Sequence, residues 1–228
     1  MAVLLKNLLA RALNAKDLVA LGELVRLCVE AEECVAGGPL GELLAGQPRL
    51  DLLLENDAWV IVTTRGQLAG FACIWREEDT HMTTFLCVHP NYRKRGIGTL
   101  LLRMAEVRAR EYTRQAAPGQ RVVMRGAINS ANEGAQRLFE REGYQAGRAF
   151  LRISCSLNEE SELQELPLAA RKLTLDVGLG QPDQPLAATV LEDRDVLCSV
   201  SLHRTYEKEL RPASQQVGAP ISLEAVGI

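Results

Sequence analysis

No C-x-x-C pair occurs among the six cysteines, which are scattered as Cys28, Cys34, Cys73, Cys87, Cys155 and Cys198. With only three histidines and no ligand spacing, the pattern argues against a structural zinc site or any other metal centre. Free thiols, buried in a reducing cytoplasm, are the expectation. Long hydrophobic runs are also missing. Nothing approaches the roughly 18 uninterrupted apolar residues of a membrane span. The apolar N-terminus MAVLLKNLLARAL is broken by Lys6 and Arg11 and lacks the apolar stretch of a signal peptide. A strong excess of one charge is absent too. The formal net charge is −3, which argues against a general nucleic-acid binder. The phosphate-binding run GxxxxGK[ST] does not occur.

What is present is an ordinary globular balance, 47% apolar and 24% charged over 228 residues. That is enough for one sizeable core, or one domain with an appendage. The stretch Thr83–Glu111 carries the most information. TTFLCV reads as a strand, HPNYRKRGIG as a turn, and the remainder as an amphipathic helix with Ile97, Leu100, Leu101, Met104 and Val107 on its buried face. Gly96 and Gly98 let the backbone approach a ligand. The helix start offers unpaired N–H groups and a positive dipole end, a site for phosphate or pyrophosphate. A dinucleotide fingerprint would need a third glycine where Leu101 stands.

Taken in order, residues 4–13 read as a first strand or a helix start. Asn14 reads as an N-cap, and residues 15–34 as a helix with Leu18, Leu21, Leu24, Val25 and Val29 at helical spacing. Gly37-Gly38-Pro39 ends it, and a short helical piece over 40–45 follows. AWVIVTT (58–64) and LAGFACIWR (68–76) read as a hairpin closed by Arg65-Gly66-Gln67, before an acidic loop Glu77-Glu78-Asp79. After the central helix, 120–128 reads as a strand, 129–142 as a helix with Ala135, Leu138 and Phe139 inward, and 144–156 as a strand. Residues 158–165 are acidic and linker-like. Further strands are expected over 171–179 and 196–206.

Two motifs stand in order: Val88, Pro90, Arg93, Gly96 and Gly98, then Asn132, Ala135, Leu138, Phe139, Gly143 and Tyr144. Together they closely resemble the GNAT N-acetyltransferase superfamily over about residues 8–156. The resemblance implies an α+β fold, a mixed and largely antiparallel sheet flanked by helices. It places an acyl-CoA-binding acetyltransferase domain at 1–156 and leaves a C-terminal extension at 157–228 with β character. A packed appendage, a dimerisation element and a worn-down duplicate are three readings of that extension.

The resemblance also implies a ligand and a reaction. Acetyl-CoA enters a V between the strands at 83–88 and 120–128. Backbone at Leu86, Cys87 and Val88 pairs with its pantetheine arm. Amides of Arg93, Lys94, Arg95, Gly96, Ile97, Gly98 and Thr99 hold the pyrophosphate, and Asn132 lies near the thiol end. An amine attacks the thioester directly, with backbone N–H groups stabilising the oxyanion. The acceptor groove would be lined by about residues 32–54 and by variable late segments. The chain departs from the family pattern where a tyrosine acid and a glutamate base are usual, having Phe139 and Met82 there. Substitutes for the base are His81, Glu77, Glu78 and Asp79. Tyr144 is a substitute acid, weighed against plain core packing. Cys87 is read as strand core rather than nucleophile, His89 as a turn residue, and Trp59 and Trp75 as core or groove wall. The alternative function is a non-catalytic acyl-CoA-binding or regulatory module.

Overall fold

The computed structural model describes residues 4–5, 7–31, 54–157, 172–178, 190–192 and 196–212. The expected helix at 40–45, the acceptor loop at 32–54 and the acidic stretch at 158–165 lie outside them, except for residue 54. Among the described residues ten strands form a single sheet in the order β1-β2-β3-β4-β5-β6-β10-β7-β8, with β9 pairing β10. They are β1 Leu4–Leu5, β2 Leu8–Ala12, β3 Ala58–Thr63, β4 Leu68–Glu78, β5 His81–Val88, β6 Val122–Asn129, β7 Gln145–Leu157, β8 Lys172–Gly178, β9 Val190–Glu192 and β10 Val196–Arg211. The helices are α1 Leu18–Glu30, α2 Leu54–Asp57, α3 Ile97–Thr113 and α4 Glu133–Arg141. Every pairing is antiparallel except β5 with β6. The expected α+β fold is what is observed.

The first segment resolves as strand, because Leu8 and Ala10 bury one face at strand spacing. Asn14 caps the turn that follows, accepting from Lys16 N at 3.0 Å, and Asp17 completes a capping box. The hairpin at 65–67 forms as expected. Its second strand runs two residues further than predicted, so Glu77 and Glu78 belong to β4 rather than to a loop.

Each sheet face has its own core. Leu21, Leu24, Val25 and Cys28 of α1 pack on Val60, Phe71, Cys73 and Cys87. The opposite face carries α3 and α4. There Leu102, Ala105 and Ala109 meet Ile74, Met82, Met124 and Phe139, and Ile97 and Leu101 meet Ile61, Ala69 and Ala72. The buried stripe of α3 is therefore not the predicted one: Val107 is 60% exposed. Small Ala105 and Ala109 let the helix lie close, which turns Val107 outward. Each large side chain fully buried in these cores contributes about 1.5–3 kcal/mol. Gly70 lets α3 approach β4, since a Cβ there would stand 2.8 Å from Ile97 Cγ2.

The strands expected beyond residue 156 exist, and one of them is central. β10 inserts between β6 and β7, pairing with β7 from Val196 to Glu207 and with β6 from His203 to Arg211. The sheet thus continues across the boundary expected after residue 156. Tyr206 of β10 is 1% exposed and packs on Phe139 at 5.8 Å. Lys208 Nζ donates to Glu106 Oε1 on α3 at 2.8 Å and to the Glu142 carbonyl after α4 at 2.6 Å. Arg211 donates to the carbonyls of Thr113, Ala116, Ala117 and Gln120.

Candidate functional site

The parallel pair β5–β6 is joined only from His81↔Val123 to Thr84↔Gly126. Above that level Phe85–Val88 stay with β4, and Ala127–Asn129 stay with β10. The two strands part into a wedge. Phe139 stands against its closed end, where a Cβ on Gly126 would come within 2.6 Å of the ring. A groove of about 1320 Å³ runs through the wedge.

At its mouth lies the glycine turn. His89 caps the short 3-10 helix Pro90–Tyr92, its Nδ1 accepting from Asn91 N at 3.1 Å, so it is a turn residue as expected. Lys94 and Gly96 adopt left-handed backbone, φ 58° and 81°. For Gly96, the N-cap of α3, that conformation is the reason for glycine. At Gly98 the reason is proximity, because a Cβ would stand 3.0 Å from Leu138 Cδ2 of α4. The turn opens α3 beside the groove, and the start of a helix leaves N–H groups without intrahelical partners, an arrangement suited to an anion.

Of the basic cluster, Arg93 and Lys94 line the groove, whereas Arg95 lies 5.1 Å over the Tyr92 ring and is not part of the wall. Two cations that the sequence reading missed, Arg137 and Arg141 of α4, also line it. Arg141 Nη2 donates to Thr99 Oγ1 at 2.8 Å, tying α4 to the first turn of α3. Their four-residue spacing on one helix was the available signal. Leu86, Cys87 and Val88 form the β5 wall, and Asn132 lies at the start of α4. The Asn132 Oδ1 accepts from Ala135 N at 2.9 Å, so it caps that helix.

The face of the wedge turned away from α3 and α4 carries Trp75, Glu77, Thr83 and Phe85 on one side. Arg125, Ala127, Phe150, Arg152, His203 and Thr205 stand on the other. Glu77 Oε1 accepts from Thr83 Oγ1 at 2.7 Å. Glu207 bridges Arg121 and Arg125. Burial alone would raise its carboxyl, but the hydrogen bonds from Arg125 and Arg121 hold it below the ordinary value. Four of the residues on this face, Phe150, Arg152, His203 and Thr205, come from β7 and β10, which no motif marks.

The proton-transfer candidates separate. Tyr144 does not line the groove. It is 3% exposed in the helix-side core, 4.8 Å from the Phe139 ring, and burial together with the Glu106 charge pushes its phenol well above the usual range. This corrects its reading as an acid and fits plain core packing. His81 and Glu78 face each other at 3.5 Å outside the groove walls. Of the four candidates His81, Glu77, Glu78 and Asp79, Glu77 lines the groove. Cys87 is 4% exposed within the α1 core, and burial pushes the neighbouring strand's Cys73 thiol up to about 12. Among the described residues no helix is long and apolar enough to cross a membrane.

Residues 55–146 match the acetyltransferase (GNAT) domain family. No curated protein matches the sequence. Among solved structures, a GCN5-related N-acetyltransferase from Sphaerobacter thermophilus is 25% identical with a TM-score of 0.60. The match covers 69% of this chain and 49% of that one, so this chain spans about half its length. The fold is also that of yncA, a putative acetyltransferase from Salmonella typhimurium solved with its cofactor acetyl-CoA. That structure is 17% identical with a TM-score of 0.54, and 94% of this chain and 100% of that one are covered. The ribosomal-protein-S18-alanine N-acetyltransferase from Escherichia coli shares the fold at 14% identity and a TM-score of 0.51, covering 92% and 98%.

Proposed function

We propose that this chain, whose residues 55–146 match the acetyltransferase (GNAT) domain family, moves an acetyl group from acetyl-CoA to an amine of a small molecule or peptide by direct attack. The observation that carries this reading is the β5–β6 wedge opening onto the left-handed turn at Lys94–Gly96. The residues there fit a dense anion on an extended arm. Amides from Arg93 to Thr99, with the side chains of Arg93, Lys94, Arg137 and Arg141, would hold the pyrophosphate. Backbone of Leu86, Cys87 and Val88 would pair with the pantetheine arm, and Asn132 would stand near its thiol end. Acetyl-CoA supplies an activated thioester. The chain's part is to align it along β5, to admit an amine from the opposite face, and to remove the amine's proton.

The second reading, a non-catalytic acyl-CoA-binding module, draws on Phe139 and Met82. They are 1% and 0% exposed and offer no acid or base. One experiment separates the two. Free thiol is measured after incubation with acetyl-CoA and a broad amine panel, alongside calorimetric titration of acetyl-CoA. Turnover is expected, and a Gly96→Glu/Gly98→Glu variant should lose at least tenfold in acetyl-CoA affinity. Binding without turnover on any amine selects the second reading. Unchanged binding in the glycine variant removes the site assignment.

A further inference from the structure

We propose that His203 is the general base that deprotonates the acceptor amine, an inference that rests on the acetyl-transfer reading above. The positions where a family member usually keeps an acid and a base hold Phe139 and Met82, both sealed in the helix-side core. A base must instead stand where the acceptor meets the acyl group, on the face away from α3 and α4. β10 supplies it. His203 pairs with Asn129 of β6 and Phe150 of β7, at the level where β5 and β6 have already parted. Side chains alternate along a strand, so His203 faces the same way as Asn129, Ala127 and Arg125. Its neighbours Tyr206 and Lys208 point to the helices. Ala127, exposed and small, leaves the surface between His203 and the wedge uncrowded.

The imidazole is fixed in place by its neighbours. Its ring stacks on Phe150 at 5.5 Å and 24°, and Nε2 lies 2.8 Å from Ser201 Oγ. It is 1% exposed yet lines the groove. The charged groups on this face are Arg152 on β7, Arg125 on β6, Glu207 on β10 and, across the wedge, Glu77 on β4. Glu77 stands at the closed end beside Thr83, below the level where the strands part. Imidazole is also the side chain whose ordinary pKa lies nearest neutrality, the range in which a general base is most effective.

The step balances as follows. The acceptor ammonium gives one proton to the His203 imidazole. The freed nitrogen lone pair forms the C–N bond to the acetyl carbonyl carbon, and the C–S bond breaks with its electrons on sulfur. The second N–H proton passes to the departing thiolate, giving free CoA thiol, an amide and an imidazolium.

The test compares unaltered protein with His203→Gln, Ser201→Ala and Glu77→Gln. The readouts are thiol release across pH 5–9 and calorimetric titration of acetyl-CoA. In the unaltered protein kcat/KM should rise along an acidic limb within that range. His203→Gln should lower kcat about 100-fold or more and abolish that limb, with acetyl-CoA affinity within about twofold. Ser201→Ala, which frees the ring but keeps the base, should shift the limb and retain most of kcat. It serves as the readout if His203→Gln does not fold. A limb unmoved by both substitutions, or one abolished instead by Glu77→Gln, overturns the assignment of His203 while leaving acetyl transfer intact. Acetyl-CoA binding without turnover by unaltered protein overturns both.

Discussion

Asp17, Glu142 and Glu207 are carboxylates held low by arginines. The hydrogen bond from Arg11 lowers Asp17, that from Arg103 lowers Glu142, and Arg125 with Arg121 lowers Glu207 against the opposing effect of burial. Their folded pKa values lie below the unfolded ones. Their stabilisation is therefore complete above about pH 4 and is lost as pH falls through the folded values. Urea unfolding midpoints measured between pH 7 and pH 3 should fall steeply below about pH 4. A variant carrying Asp17→Asn, Glu142→Gln and Glu207→Gln should start lower at pH 7 and show a flatter acid slope. An equal slope would mean that other groups carry the acid sensitivity. At the same scale, the two motif glycines serve different ends. Gly96 is required by a left-handed backbone and Gly98 by the nearness of Leu138. A sequence marks both identically.

Among the elements, β10 decides whether the wedge has a second wall. It pairs with β6 from His203 to Arg211, carries Tyr206 into the core and bonds α3 and the end of α4 through Lys208. A chain ending at residue 195 should therefore lose cooperative thermal unfolding by circular dichroism, with apolar dye binding exposing the open core. Within the full chain, Lys208→Ala leaves buried Glu106 one charged partner fewer and should cost about 2 kcal/mol in urea unfolding. A truncated chain that melts as sharply as the full one would show that β10 is dispensable. The strand itself was legible from its pattern of residues over 196–206. Its place was not, because strand order depends on which edge β6 presents after the α3 crossover, and no local pattern records that.

At the scale of the whole molecule, the groove joins a cationic mouth to a mixed-charge face through the parted strands. Ligand that binds only the folded state adds RT ln(1 + [L]/Kd) of stability, about 2.7 kcal/mol at one hundred times Kd. Acetyl-CoA at that concentration should raise Tm by about 5–10 °C. The rise should shrink between 0.05 and 0.5 M salt, because screening weakens the attraction of Arg93, Lys94, Arg137 and Arg141 for phosphate. A salt-independent rise would place the phosphates elsewhere.

The sequence by itself determined the strand–turn–helix at 83–111, the existence of the second helix after β6 and the α+β character. These follow from short-range periodicity, glycine placement and capping, which act within a few residues. Tertiary structure decided the rest. It left Arg95 outside the groove and brought Arg137 and Arg141 into it. It buried Tyr144 with Phe139, and carried β10 between β6 and β7 so that His203 and Arg152 line the wedge. Those outcomes depend on contacts between residues far apart in the chain, where burial and strand pairing, rather than local propensity, set which side chains share a face.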